Sequence, residues 1–190
     1  MTEEKKPAAS SESLDLHVFK QWYKEFSAES DRAAVILGAA KLDLSLRELL
    51  AKKFLPESTG HDELLDTDRP LATFSARINI AYRLGLIDKQ FASLLHLIRR
   101  IRNEFAHEAV GAELGAGSHR DRVKTLAGPF VKYAELEEFV SLSHSGASEA
   151  SKYFRAVLAV LVVRLEGAIE RSVAVDETDA CRPIPPAWKE

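Results

Sequence analysis

The 190 residues carry 26 basic and 29 acidic side chains, a net charge of −3 and 46% hydrophobic residues, which is typical of one globular domain. The balance excludes the overall basic charge of many nucleic-acid-binding domains. A single cysteine, Cys181, excludes an intrachain disulfide and a cysteine-based structural zinc site. We also expect no metal and no cofactor.

The N-terminus lacks the apolar core of a signal peptide, and the longest strongly apolar run, Ala156 to Val163, is too short to span a membrane. A cytoplasmic protein without a membrane segment is therefore expected. Residues 1–12 are polar and predict a mobile arm before one helical domain at residues 13–173.

The first predicted helix covers residues 14–26. Its buried side is predicted to carry the apolar residues spaced by four: Leu14, Val18, Trp22 and Phe26. Ser30 or Asp31 can cap a second, long helix. That helix is predicted to bury Val35, Ala39, Leu42, Leu46, Leu49 and Leu50.

A loop rich in proline and polar residues, 55–72, separates the second helix from a predicted helical hairpin. Thr73 can cap the first helix of the hairpin, which Gly85 terminates, and Asp88 can cap its second helix, residues 89–108. The core face of this second helix is predicted to carry Phe91, Leu94, Ile98, Ile101 and Phe105. Its opposite side carries His96, Arg99, Arg100, Asn103 and His107.

Three glycines then interrupt the pattern, and residues 119–142 predict one or two short helices around Gly128. The basic stretch Ser118–Lys124 is interpreted as a solvated loop. Residues 148–173 predict a last long helix that buries Phe154, Leu158, Leu161, Leu165 and Ile169. Prolines predict an irregular tail at residues 174–190.

No segment alternates polar and apolar residues as a strand does. The predicted fold class is therefore all-α: a compact multi-helix bundle with irregular N- and C-terminal arms.

An Arg-x4-His spacing, Arg102 to His107, lies near the end of the hairpin's second helix, with Asn103 between the two residues. A histidine can transfer protons near neutral pH, and an arginine can stabilise charge that develops on a phosphate. The spacing resembles the signature of HEPN-type ribonucleases, which would make Arg102, Asn103 and His107 catalytic. So short a motif also arises by chance, and a solvated helix face is the favoured interpretation, so no catalytic residue is favoured.

A longer resemblance covers "PLATFSARINIAYRLGLIDKQFASLLHLIRRIRNEFAHE", Pro70 to Glu108. It resembles the core signature of the mannitol operon repressor family, whose three conserved segments correspond to Phe74–Ile78, Ala81–Ile87 and Ile98–His107. The upstream residues 29–50 also resemble the first long helix of that family. The resemblance implies an all-helical bacterial repressor of carbohydrate-uptake genes, such as a mannitol operon.

The polar residues of the hairpin form a candidate binding or structural network: Arg77, Arg83, Arg99, Arg102, Asn103 and His107. Buried arginines would require carboxylates, for which Asp31, Asp43 and Glu104 are candidates. The residues leave open whether this set is a buried network or an exposed binding site.

A DNA-reading helix is not predicted. A helix-turn-helix places polar and basic residues at the start of its recognition helix, whereas here that start is apolar at Phe91, Leu94 and Leu95. We therefore expect little direct DNA binding. Transcription control is expected to act through a protein partner. A homodimer and the ribonuclease alternative stay open.

Overall fold

The computed structural model describes residues 14–57, 60–108, 111–142 and 146–178. These residues contain seven α-helices and no β-strand, which confirms the predicted all-α class. The helices are α1 (Leu16–Ser27), α2 (Asp31–Lys53), α3 (Phe74–Arg83), α4 (Lys89–His107), α5 (Gly117–Ala127), α6 (Ala134–Leu142) and α7 (Glu149–Arg171). A single 3-10 turn, Gly128–Phe130, joins α5 to the segment before α6. The predicted arm at residues 1–12 and Cys181 lie outside the described residues.

Three helices begin directly after the capping residues that were predicted from the sequence. Ser30, Thr73 and Asp88 each accept a hydrogen bond from the backbone N–H three residues further on, at 3.2, 3.2 and 2.7 Å. Gly85 follows α3 with a φ of +71°, a conformation that costs glycine little because it has no Cβ. The hairpin of α3 and α4 is therefore specified locally, by two caps and a turn.

Helix α7 lies at the centre of the bundle and packs on α1, α2, α5 and α6. Helix α2 also packs on α3 and α4. The predicted core residues of α2 and α7 are all buried, as the sequence indicated. The two helices approach closely at Gly38, where an added Cβ would lie 2.4 Å from Leu158 Cδ1.

The predicted buried side of α1 is wrong by about one residue. Phe19, Tyr23 and Phe26 are buried, whereas Val18 and Trp22 are only partly buried. Leu14, which was assigned to the same side, is also partly buried and lies before the helix begins.

Contacts from other helices explain this rotation of α1. Phe139 of α6 packs edge-on against Phe19 and Tyr23, with ring centroids 5.0 and 4.8 Å apart. Trp22 lies at the rim, where its indole N–H donates to Glu166 Oε2 at 3.0 Å. The Lys41 ammonium lies 4.6 Å from the centroid of the Trp22 ring.

After α7, residues 172–178 form no regular secondary structure. The Val175 N–H donates to the Lys53 carbonyl at 2.9 Å, so this segment returns to the end of α2. Within the described ranges, no helix is both long enough and apolar enough to cross a lipid bilayer.

Candidate functional site

The polar side of α4 faces away from the core. The residues of α4 that are buried are Ala92, Leu94, Leu95, Ile98, Ile101 and Phe105. Arg100 and His107 are exposed, and His96, Arg99 and Asn103 are partly buried. Four of the five predicted core residues are buried, and Phe91 is partly buried. Solvent therefore reaches the side of α4 that carries its basic residues.

Arg77 of α3 is the buried member of the predicted polar set, with 7% of the residue exposed. Its Nη1 donates to Asp43 Oδ1 at 2.7 Å, and its Nη2 donates to the Leu65 carbonyl at 3.3 Å. Asp43 is one of the three carboxylates considered as partners. Arg77 joins α3 and the loop before it to α2, which is a structural task.

The structure does not bring the other predicted residues together with Arg77. Arg83 is exposed at the end of α3, and His107 is exposed at the end of α4. Arg102 and Asn103 are partly buried. Among the hydrogen bonds and ion pairs of the described residues, none joins Arg102, Asn103 and His107. The three residues that the HEPN resemblance would make catalytic are therefore not joined by hydrogen bonds within one chain.

His96 connects the two helices of the hairpin. Its Nε2 lies 3.1 Å from Asn79 Oδ1 of α3. Burial lowers the pKa of His96 below its ordinary value, and the positive charges of Arg99 and Arg100 lower it further. Arg99 and Arg100 therefore place positive charge beside the His96 ring.

We expect NMR titration of the imidazole signals to give His96 a pKa below the ordinary value of 6.5. Because the folded state disfavours the charged ring, protonation as the pH falls below that value reduces the stability of the fold. Arg99→Gln should raise the pKa of His96 part of the way back, since burial remains. Arg47→Gln on α2 serves as the control and should leave it unchanged. A His96 pKa at or above 6.5 would contradict these surroundings.

The interpretation of Ser118–Lys124 as a solvated loop is wrong, because this stretch lies in α5. His119 is 7% exposed and shares a buried face with Val123 and Leu126. The spacing of these three residues, four and then three, is a helical signal that sequence reasoning missed.

His119 is held between two carboxylates at the end of α4. Its Nε2 lies 2.8 Å from Glu108 Oε1, and its Nδ1 lies 3.6 Å from Glu104 Oε2. Glu104 also pairs with Arg122 of α5 at 2.8 Å, so it serves α5 and not the arginines of the hairpin. The Phe105 ring lies 4.6 Å from the imidazole.

Arg32 of α2 stabilises the last turn of α4. Its Nη1 donates to the Phe105 carbonyl at 2.7 Å, and its Nη2 donates to the Glu108 carbonyl. These carbonyls lack partners within the helix, and a cation there also compensates the negative end of the helix dipole. The end of α4 is thus held by α2 and by α5.

Asp31, the third candidate carboxylate, also has a partner outside the hairpin. It accepts hydrogen bonds from the Leu114 N–H and the Ser151 hydroxyl, at 2.9 and 2.8 Å. It pairs with Arg155 Nη2 at 3.0 Å. Across the described ranges, no group of three or more histidine, cysteine or carboxylate side chains is arranged to hold a metal ion.

Comparison with known proteins finds a likeness in three-dimensional structure and none in sequence. No protein-family profile matches the sequence, and no curated protein matches it. Among solved structures, the chain is similar to a chain in the X-ray structure of the MtlR–HPr complex from Escherichia coli, with a TM-score of 0.52 and 19% sequence identity. The match covers 81% of this chain and 97% of that chain. The protein therefore shares its fold with nearly the whole of a chain of the MtlR–HPr complex.

Proposed function

We propose that the protein is a bacterial transcriptional regulator, a repressor of carbohydrate-uptake genes such as a mannitol operon, that acts by binding a protein partner. HPr, which is present in the complex with MtlR, is the proposed partner. The observation that carries the proposal is the shared fold, because it extends over nearly the whole of the other chain.

A second line of support is the sequence resemblance of Pro70–Glu108 to the mannitol operon repressors. That stretch forms α3, the Gly85 turn and α4. The resemblance concerns local sequence, whereas the fold match concerns backbone geometry over 81% of the chain. The two observations point to the same class of regulator.

The packing of α4 supports action through a partner. Leu94 and Leu95, in the first half of the helix, are buried. Helix α4 packs on α2, α3 and α5. A recognition helix presents polar and basic side chains of its first turns to the major groove of DNA. The exposed residues in the first two turns of α4 are Lys89, Gln90 and Ser93, of which one is basic.

The proposal is tested by titrating the full-length chain with HPr from the same bacterium in a calorimeter. We expect saturable binding with a dissociation constant of about 10 µM or tighter. An acidic protein of similar size is the control and should give no heat of binding. A labelled fragment of the neighbouring promoter should bind weakly, and that binding should fade between about 50 and 200 mM salt.

Two results would contradict the proposal. One is tight, sequence-selective DNA binding by the purified chain at physiological salt. The other is cleavage of single-stranded RNA by the wild type that is lost in His107→Ala, which would favour the ribonuclease alternative with Arg102 and His107 as catalytic residues.

A further inference from the structure

Arginines without a partner are concentrated in the α3–α4 hairpin. In the described ranges, every arginine outside the hairpin has a hydrogen-bond, ion-pair or other interaction partner. Within the hairpin, only Arg77 has such a partner. The four arginines for which no hydrogen bond or ion pair is formed are Arg83, Arg99, Arg100 and Arg102. They fall within 20 consecutive residues of a chain whose net charge is −3.

Helices α3 and α4 contribute side chains to one solvent-exposed surface. On α3, Asn79, Tyr82 and Arg83 are exposed and share a side because they are three and four residues apart. The contact between Asn79 and His96 joins this side of α3 to the outer side of α4. We name the combined surface the hairpin face, and it consists of Asn79, Tyr82, Arg83, His96, Arg100, Asn103 and His107. Its α4 part is about 17 Å long, from the helical rise per residue.

Among the described residues, no carboxylate forms an ion pair with Arg83 or Arg100 of the hairpin face. Glu104, the nearest carboxylate on α4, is turned towards α5, where it pairs with Arg122. Asp88 accepts the N–H of Phe91 at the start of α4.

We propose that the hairpin face is the docking surface for an acidic surface of a protein partner. The inference rests on the proposed function, since it supplies the site at which a regulator of this kind would bind its partner. Charge complementarity is the physical reason: such a partner would provide the carboxylates that Arg83 and Arg100 lack, and it would associate faster for the same reason.

The side chains beside the charges suit a protein better than a nucleic acid. Tyr82 is 43% exposed and Leu84 is 45% exposed, next to Arg83. Tyrosine and arginine are the residue types that often carry most of the binding energy of a protein interface. Single-stranded nucleic acid is bound by several aromatic rings in succession, and the hairpin face offers one.

The test compares two charge-reversed variants of the full chain. Arg83→Glu/Arg100→Glu changes the hairpin face, and Lys20→Glu/Lys24→Glu makes the same change of charge on the exposed side of α1. The probe is a fluorescent polyglutamate peptide, and binding is followed by anisotropy at low salt. Circular dichroism verifies that both variants keep their helices, because all four side chains are exposed.

We expect the wild type to bind the peptide, the hairpin variant to bind at least about tenfold more weakly, and the α1 variant to change by less than about threefold. The inference is overturned if the wild type does not bind, or if both variants lose the same affinity. It is also overturned if a single-stranded RNA of equal charge binds the hairpin face about tenfold more tightly than the peptide.

Titration with HPr keeps this inference separate from the proposed function. If the peptide binds through the hairpin face and HPr does not bind at all, the docking surface stands and HPr is not the partner. If HPr binds the wild type and the hairpin variant equally well, the proposed function stands and the docking surface is refuted.

Discussion

Arg155→Ala is expected to lower the free energy of unfolding by about 3 to 5 kcal/mol, the range for breaking a buried ion pair from one side. Arg155 lies on α7 and is 4% exposed. Its guanidinium donates to the carbonyls of Phe26 and Glu29, each at 2.9 Å, and to the Ser151 carbonyl at 3.0 Å. It also pairs with Asp31 at 3.0 Å. Removal leaves that carboxylate without its cation and takes the side-chain donor from the Phe26 and Glu29 carbonyls.

Urea unfolding followed by circular dichroism measures this loss. Arg164→Ala is the matched control, because Arg164 lies on the same helix and is exposed. We expect the control to change stability by no more than about 0.5 kcal/mol. If the two substitutions lower the free energy of unfolding equally, the buried guanidinium does not stabilise the packing of α1 on α7.

The second large effect is expected for Leu161→Ala, at about 2 to 5 kcal/mol. Leu161 lies on α7 and is 1% exposed, so the substitution removes buried methyl groups and leaves a cavity in the core. The control is Leu44→Ala on α2, where the side chain is 63% exposed, and it should cost about 0.5 kcal/mol or less. Thermal melts in which Leu161→Ala keeps the wild-type midpoint would mean that α7 is peripheral.

The parts of the fold that are encoded locally could be predicted from the sequence. Ser30, Thr73 and Asp88 cap the helices that follow them because the capping side-chain oxygen accepts from the backbone N–H three residues further on. The residues predicted for the apolar faces of α2 and α7 are all buried, since each pattern repeats over many turns and every turn supports the same side.

Parts that depend on distant contacts could not be predicted in the same way. The buried side of α1 is decided by Phe139, more than a hundred residues away in sequence. Trp22 has the same spacing as a core residue, but its indole N–H requires a polar partner and finds Glu166 at the rim. Arg155 escaped notice because three of its acceptors are backbone carbonyls, which no side-chain pattern reveals.

The same contrast between local sequence signals and distant contacts applies to the candidate site. The outward side of α4 follows from its own periodicity, so the basic residues there could be placed from sequence. Whether those cations are paired depends on the direction of Glu104, which Arg122 and His119 of α5 determine. The sequence predicts short helices in residues 119–142, but the basic stretch Ser118–Lys124 was interpreted as solvated, so the buried face of α5 and the partners of Glu104 on it were missed.

The close approach of α2 and α7 at Gly38 couples the side-chain sizes that are allowed at positions 38 and 158. A methyl group at position 38 would meet Leu158, which is 0% exposed and has little room for another rotamer. The spacing of the two longest helices therefore survives a larger residue at 38 only when a smaller residue stands at 158. In divergent chains with this bundle, positions 38 and 158 should change in opposite directions in volume. Such a reciprocal pattern of sizes would identify remote relatives whose hairpin signature has been lost.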